Sequence, residues 1–215
     1  MADGDQPVSQ QHLATWIVNY AAVIDEQAAY LTELDSAIGD ADHGANMKRG
    51  MAAAAEAVAA GGFPAIDAMM KKVGMTLVST VGGASGPLYG TFFLRFGAAV
   101  AGKTELTAQE LGAAMRAGYE GIVTRGKAQV QDKTMVDVWA PACEAYVQAL
   151  AEKDNLASAL AAMSEAARQG RDATVDLVAH KGRASYLGER SRGHMDPGAA
   201  SSTMLIETAE STLVG

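Results

Sequence analysis

The chain has 215 residues, 49% hydrophobic and 20% charged, enough for one domain with a sizeable core. A net charge of −8 argues against nucleic acid or an anionic membrane as partner. The lone cysteine, Cys143, excludes a disulfide framework and a cysteine-based zinc site, and it fits a cytoplasmic location. Residues 1–11 are polar and acidic, unlike a signal peptide, and no apolar run is long enough to span a bilayer.

Leu13, Ile17, Tyr20, Ile24, Leu31 and Leu34 recur at helical spacing and predict a first helix from His12 to Ile38, stopped by Gly39. An acidic junction follows. Asn46 to Ala60 predicts a second helix and Pro64 to Thr80 a third, each closed by paired glycines. Ser85-Gly86-Pro87 reads as a helix start with Ser85 as N-cap, and that fourth helix runs to about Ala101. Thr107-Ala-Gln-Glu110 is a capping box that opens a fifth helix, to about Thr124. Thr134 to Glu152 predicts a sixth, kinked at Pro141. Leu156 to Leu177 predicts a seventh, and a basic, glycine-punctuated loop follows from Lys181 to His194. Asp196-Pro197-Gly198 starts the eighth. Without an alternating strand, this pattern predicts an all-α fold: one domain over 1–215, an eight-helix antiparallel bundle or barrel, with about the first ten residues flexible.

The junction from Asp35 to Arg49 carries the densest chemistry. Asp35, Asp40 and Asp42 lie between two helices, broken by Gly39 and Gly44. Carboxylates this close repel unless a cation neutralises them, and a hard divalent ion with phosphate as co-ligand suits oxygen donors. A solvated acidic loop is the plain alternative. His43-Gly44-Ala45-Asn46 enters a helix, where free backbone N–H groups bind anions and a glycine allows close approach; His43 is either a phosphate donor or a surface histidine. Gly82-Gly-Ala-Ser-Gly86 is a second glycine-rich helix entry, which taken alone is an ordinary turn. Asp196 to Gly198 is a third, preceded by Arg183, Arg190 and Arg192, any one of which is ordinarily a solvated side chain. Alternate helices of an antiparallel bundle start at the same end, so these entries can converge. One motif misleads. Gly97 to Thr104 fits G-x-x-x-x-G-K-[ST], but helix precedes it where a phosphate loop needs a strand.

Ile38 to Met47, Gly82 to Leu88, Asp132-Lys-Thr-Met135, and Gly182 to Arg190 with Gly193 to Ala199 resemble the ADP-binding L subunits of dihydroxyacetone kinases, in order and over nearly the whole chain. Ala41 stands where glycine is also common in that family. The resemblance implies an eight-helix barrel that binds ADP or ATP at one end. It implies two Mg²⁺ held by Asp35, Asp40 and Asp42. His43, Gly44, Ala45, Asn46, Ala84 and Ser85 would line the phosphates, and Gly126, Met135, Arg183, Asp196, Pro197 and Gly198 the rest of the pocket. It also implies partners: a K-type subunit that holds dihydroxyacetone, an M-type phosphotransferase-system subunit that recharges ADP from phosphoenolpyruvate, and for some members a transcriptional regulator. Two alternatives stay open: an ATP-dependent kinase module for another small ketose such as a tetrulose, and a nucleotide-loaded adaptor that signals to a regulator.

Overall fold

The computed structural model describes residues 6–153 and 155–214. Eight α-helices appear among them: α1 (Gln10–Ile38), α2 (His43–Ala59), α3 (Ile66–Thr80), α4 (Ser85–Ala99), α5 (Ala108–Gly126), α6 (Val136–Lys153), α7 (Leu156–Ala173) and α8 (Pro197–Leu213). Each successive pair packs together, and α8 packs back on α1, so the antiparallel bundle closes into a ring.

Capping sets several of the starts. Thr107 accepts from the Glu110 N–H while the Glu110 carboxylate accepts from the Thr107 N–H, as the sequence pattern predicts. Ser9 makes the same reciprocal pair with His12, whose ring nitrogen replaces the usual carboxylate or amide, so the pattern escapes a sequence search. Strand β1 (Val8–Ser9) pairs antiparallel with β2 (Glu105–Leu106), and Val8 is buried in the core, so the expected flexible stretch loses residues 8–10; Met1 to Asp5 lie outside the described residues.

Trp16, Tyr20, Tyr89, Phe92, Phe93, Phe96, Trp139 and Tyr146 fill the middle of the ring. Phe92 and Trp139 have ring centroids 4.5 Å apart, joining α4 to α6 across the core. Pro141 lies inside α6 and cannot donate to the Asp137 carbonyl. That carbonyl faces Gly170 of α7, where an added Cβ would stand 2.3 Å from it, so these two helices approach closely at the proline.

Helix α7 ends at Ala173, earlier than its pattern suggests, and Thr174–Asp176 form a 3₁₀ turn. The basic segment that follows is partly 3₁₀ over Arg183–Ser191, turned at Gly182 and Gly188 with positive φ. Residues 177–194 form a strap across one end of the ring. Ala179, Ala184 and Leu187 fix it against Ile38 at the end of α1. The decoy stretch sits at the opposite end: α4 precedes it, and Lys103 pairs with Glu110 at 2.7 Å.

Candidate active site

Helices α2, α4, α6 and α8 all start at the strap end, and α1 delivers Asp35 there from its last turn. Their ends surround a cavity of about 950 Å³. The positive ends of four helix dipoles thus converge on one space, favourable for an anion, although many of the first N–H groups of α2, α6 and α8 already have partners within the chain.

Asp35, Asp40 and Asp42 each place a carboxylate oxygen within 4.8 Å of the others. Asp35 is buried, and its Oδ2 accepts from the backbone N–H of Asp42 at 2.8 Å and of His43 at 3.1 Å. These bonds fold residues 39–42 back over the end of α1. Ala41 makes the reversal with φ +60°, a left-handed conformation that suits glycine better. Arg183 reaches from the strap to Asp40 Oδ2 at 3.0 Å. The donor set is all oxygen and negatively charged, which fits a hard divalent cation.

Beneath the aspartates lies a polar chain. Ser85 Oγ is 3.0 Å from His43 Nδ1, and His43 Nε2 is 2.9 Å from Ser201 Oγ. The Tyr89 hydroxyl lies 2.7 Å from Ser201 Oγ and 3.0 Å from Ser202 Oγ, and Tyr20 donates to the Ser201 carbonyl. This network explains why Ser85 is not the expected N-cap. Its hydroxyl is engaged by His43, Ala84 takes the cap position, and no side chain caps α4. Burial outweighs the pull of Asp35 and Asp42 and lowers the His43 pKa from 6.5 to about 4, so the ring is neutral at pH 7.

Asp196 caps α8 by accepting from the Ala199 N–H at 2.7 Å. Burial, reinforced by Asp137 and Asp35, raises its pKa to about 7, against the opposing effects of the Ala199 N–H and Lys133. Asp137 accepts from the N–H of Thr134 at 2.8 Å and from that of Gln131, which ties the approach to α6. Lys133 is 1% exposed; its ammonium donates to the carbonyls of Thr174 and His194, and burial lowers its pKa.

Of the residues singled out in sequence, Asp35, Asp40, Asp42, His43, Ala84, Ser85, Gly126, Met135, Arg183, Asp196, Pro197 and Gly198 line the cavity. Gly44, Ala45 and Asn46 do not. An added Cβ on Gly44 would stand 1.9 Å from the Ala28 carbonyl oxygen, so a glycine here allows the close crossing of α1 and α2. Ala45 is exposed. Asn46 donates its N–H to Asp42 O and accepts from Arg49 at 2.7 Å. Arg192 is held by Glu189 at 3.3 Å and, like Arg190, lies outside the cavity. Sequence reasoning missed Lys133, Asp137, Tyr89 and Ser201. Lys133 was visible within Asp132-Lys-Thr-Met135; the other three carry no local signal.

The DAK2 domain family matches residues 37–211, which span nearly all of this closed helical ring and include Asp40 and Asp42 of its acidic cluster. The chain belongs to this family, in the branch of the dihydroxyacetone kinase ADP-binding subunits. It is 44% identical over 200 residues to the PEP-dependent dihydroxyacetone kinase ADP-binding subunit DhaL of Escherichia coli, covering 93% of this chain and 95% of that one. It is 46% identical over 193 residues to the PTS-dependent counterpart of Lactococcus lactis, covering 90% and 92%. The fold matches the crystal structure of the dihydroxyacetone kinase from C. freundii in complex with AMP-PNP and Mg²⁺ with a TM-score of 0.73 at 24% identity, over 98% of this chain and 36% of that one. No described helix is long and apolar enough to cross a membrane.

Proposed function

We propose that this chain is the nucleotide-carrying subunit of a phosphoenolpyruvate-dependent dihydroxyacetone kinase and acts with partner subunits in the cytoplasm. The observation that carries this reading is the convergence of three carboxylates in a cavity of about 950 Å³, a volume suited to a nucleoside diphosphate. The names of the E. coli and L. lactis relatives point to ADP as the ligand and to PEP as the source of the phosphoryl group.

Asp35, Asp40 and Asp42 would hold two Mg²⁺, which neutralise charge on the phosphoryl oxygens when bound. Phosphoryl transfer depends on positioning and charge far more than on covalent help from the protein. The chain's own groups serve that end. The two N–H bonds to Asp35 fix its carboxylate before any cation arrives. The helix starts at Ala84–Ser85 and Pro197–Gly198 face the same cavity and favour phosphate there. Arg183, already beside Asp40, is placed to exchange that carboxylate for a phosphate oxygen. Ile38, Leu88, Ile122 and Met135 give the cavity an apolar wall for the base. His43 is neutral with both ring nitrogens engaged, so it orients Ser85 and takes no proton from a substrate.

On this reading the sugar is held by a K-type subunit, ADP is recharged by an M-type subunit, and the loading state is available to a transcriptional regulator. The test is reconstitution. The purified chain with K-type and M-type subunits should turn over dihydroxyacetone with phosphoenolpyruvate and retain ADP in Mg²⁺ but not after chelation. Turnover with ATP and the K-type subunit alone, at the same rate, would move the assignment to the ATP-dependent reading. Absence of nucleotide binding in Mg²⁺ would end both.

A further inference from the structure

The stretch Asp132-Lys133 lies at neither the acidic cluster nor a helix, yet it holds both ends of the strap. At the first end, the His180 N–H donates to the Asp132 carbonyl at 3.0 Å. At the second, the Lys133 ammonium donates to the carbonyls of His194 and Thr174, the latter in the turn that precedes the strap. Nearby, Gly193 donates to Val175 at 2.8 Å and Asp196 to Thr174 Oγ1 at 3.1 Å, so the two ends of the strap meet at one point. Lys133 lies inside that junction, 1% exposed.

Its backbone is in the left-handed region at φ +60°, and so are Gln131 at +74° and Lys127 at +50°. Three non-glycine residues in this conformation within one connection are costly and persist only where the surroundings enforce them. A buried ammonium on two carbonyls is also poorly replaced by any other side chain, because both acceptors lose their partner when it is removed. Between the two fastened ends the strap carries Arg183, which reaches Asp40 at 3.0 Å.

We infer that Lys133 is a positioning residue: its ammonium clasps the two ends of strap 177–194 and thereby sets Arg183 over the aspartates. The clasp itself rests on the contacts above; its effect on nucleotide rests on the proposed function.

The test uses the full chain with Lys133→Met, Lys133→Gln and Arg183→Ala. Amide hydrogen exchange is measured first, without nucleotide or metal. Loss of a charge-assisted bonding pair should speed exchange of residues 178–194 by roughly tenfold to a hundredfold in Lys133→Met, while α3 and α4 exchange at the wild-type rate. Lys133→Gln keeps a donor and should show the same pattern at smaller size, which keeps the test open if the Met variant does not fold. Release of ADP in Mg²⁺ is measured next. Lys133→Met and Arg183→Ala should each speed release about tenfold or more, and the double variant little beyond either single one, because one acts through the other. Arg183→Ala alone should leave strap exchange unchanged. Uniform acceleration of exchange across all helices overturns the clasp, and additive release rates overturn its action through Arg183. If the wild-type chain binds no ADP, the proposed function fails, and the exchange measurement still decides the clasp.

Discussion

Replacing Gly44 by alanine separates two uses of a glycine at a helix start. The added Cβ would stand 1.9 Å from the Ala28 carbonyl oxygen and 2.4 Å from Thr32 Oγ1. The Thr32 side chain can rotate away from its 2.9 Å bond to Ala28 O, but the carbonyl belongs to the backbone of α1 and cannot move alone. A carbon–oxygen contact relaxes at about 3.3 Å, so α1 and α2 must separate by roughly 1.4 Å at this point. Overpacking of this kind costs about 1–3 kcal/mol. Better helix propensity returns less than about 1 kcal/mol at the second helical residue. The net loss of about 1–2 kcal/mol lowers Tm by roughly 2–8 °C for a chain of this size. Thermal and urea unfolding of the metal-free protein, followed by circular dichroism, reads this directly. A variant that unfolds with the wild type yet no longer retains ADP in Mg²⁺ would refute the reasoning and return Gly44 to the anion.

Ala41→Gly should raise stability by about 0.5–1 kcal/mol, because relief of a left-handed alanine at φ +60° exceeds the entropy added to the unfolded chain; a lower Tm refutes it. Asp40→Asn should leave the metal-free Tm unchanged or slightly higher and abolish the Tm rise produced by Mg²⁺ with ADP, worth about 2.7 kcal/mol at a hundredfold excess over Kd. Two groups at the site oppose each other in pH dependence. The Asp196 pKa is raised to about 7, so its contribution is full below pH 4 and is lost as pH rises through 7. The His43 pKa is lowered to about 4, so its contribution is full above pH 6.5 and is lost as pH falls through 4. In the wild type these two contributions therefore offset each other across that window in metal-free urea titrations. Relative to it, Asp196→Asn should lose stability on acidification and His43→Gln should gain it, each by at most about 1.4 kcal/mol per pH unit. Variants that keep the wild-type profile contradict the assignment.

What the sequence revealed was whatever is written in neighbouring residues. The 3.6-residue spacing of apolar side chains, the Thr107–Glu110 box and the Asp196-Pro197 start gave eight helices, and antiparallel order then placed alternate starts at one end. The acidic cluster was legible because its members sit within eight residues. Long-range pairing was hidden. Ser85 looked like a cap because nothing nearby announces a histidine 42 positions earlier that takes its hydroxyl. The packing of Gly44 against Ala28 was hidden because that residue lies on the preceding helix. The buried ammonium of Lys133 depends on carbonyls at residues 174 and 194, which no local pattern connects.

The seam between the first and last helices has a consequence for how such a module combines with others. The Trp16 indole donates to the Leu205 carbonyl at 3.0 Å and the Tyr20 hydroxyl to the Ser201 carbonyl at 3.0 Å, so α1 and α8 run side by side in opposite directions. The beginning of α1 and the close of α8 consequently emerge together, on the pole facing away from the strap. A polypeptide grafted before one or after the other leaves from that pole, and the mouth stays clear. That placement suits a unit joined to further domains, and the C. freundii kinase, of which this chain matches 36%, carries the same fold within a larger polypeptide.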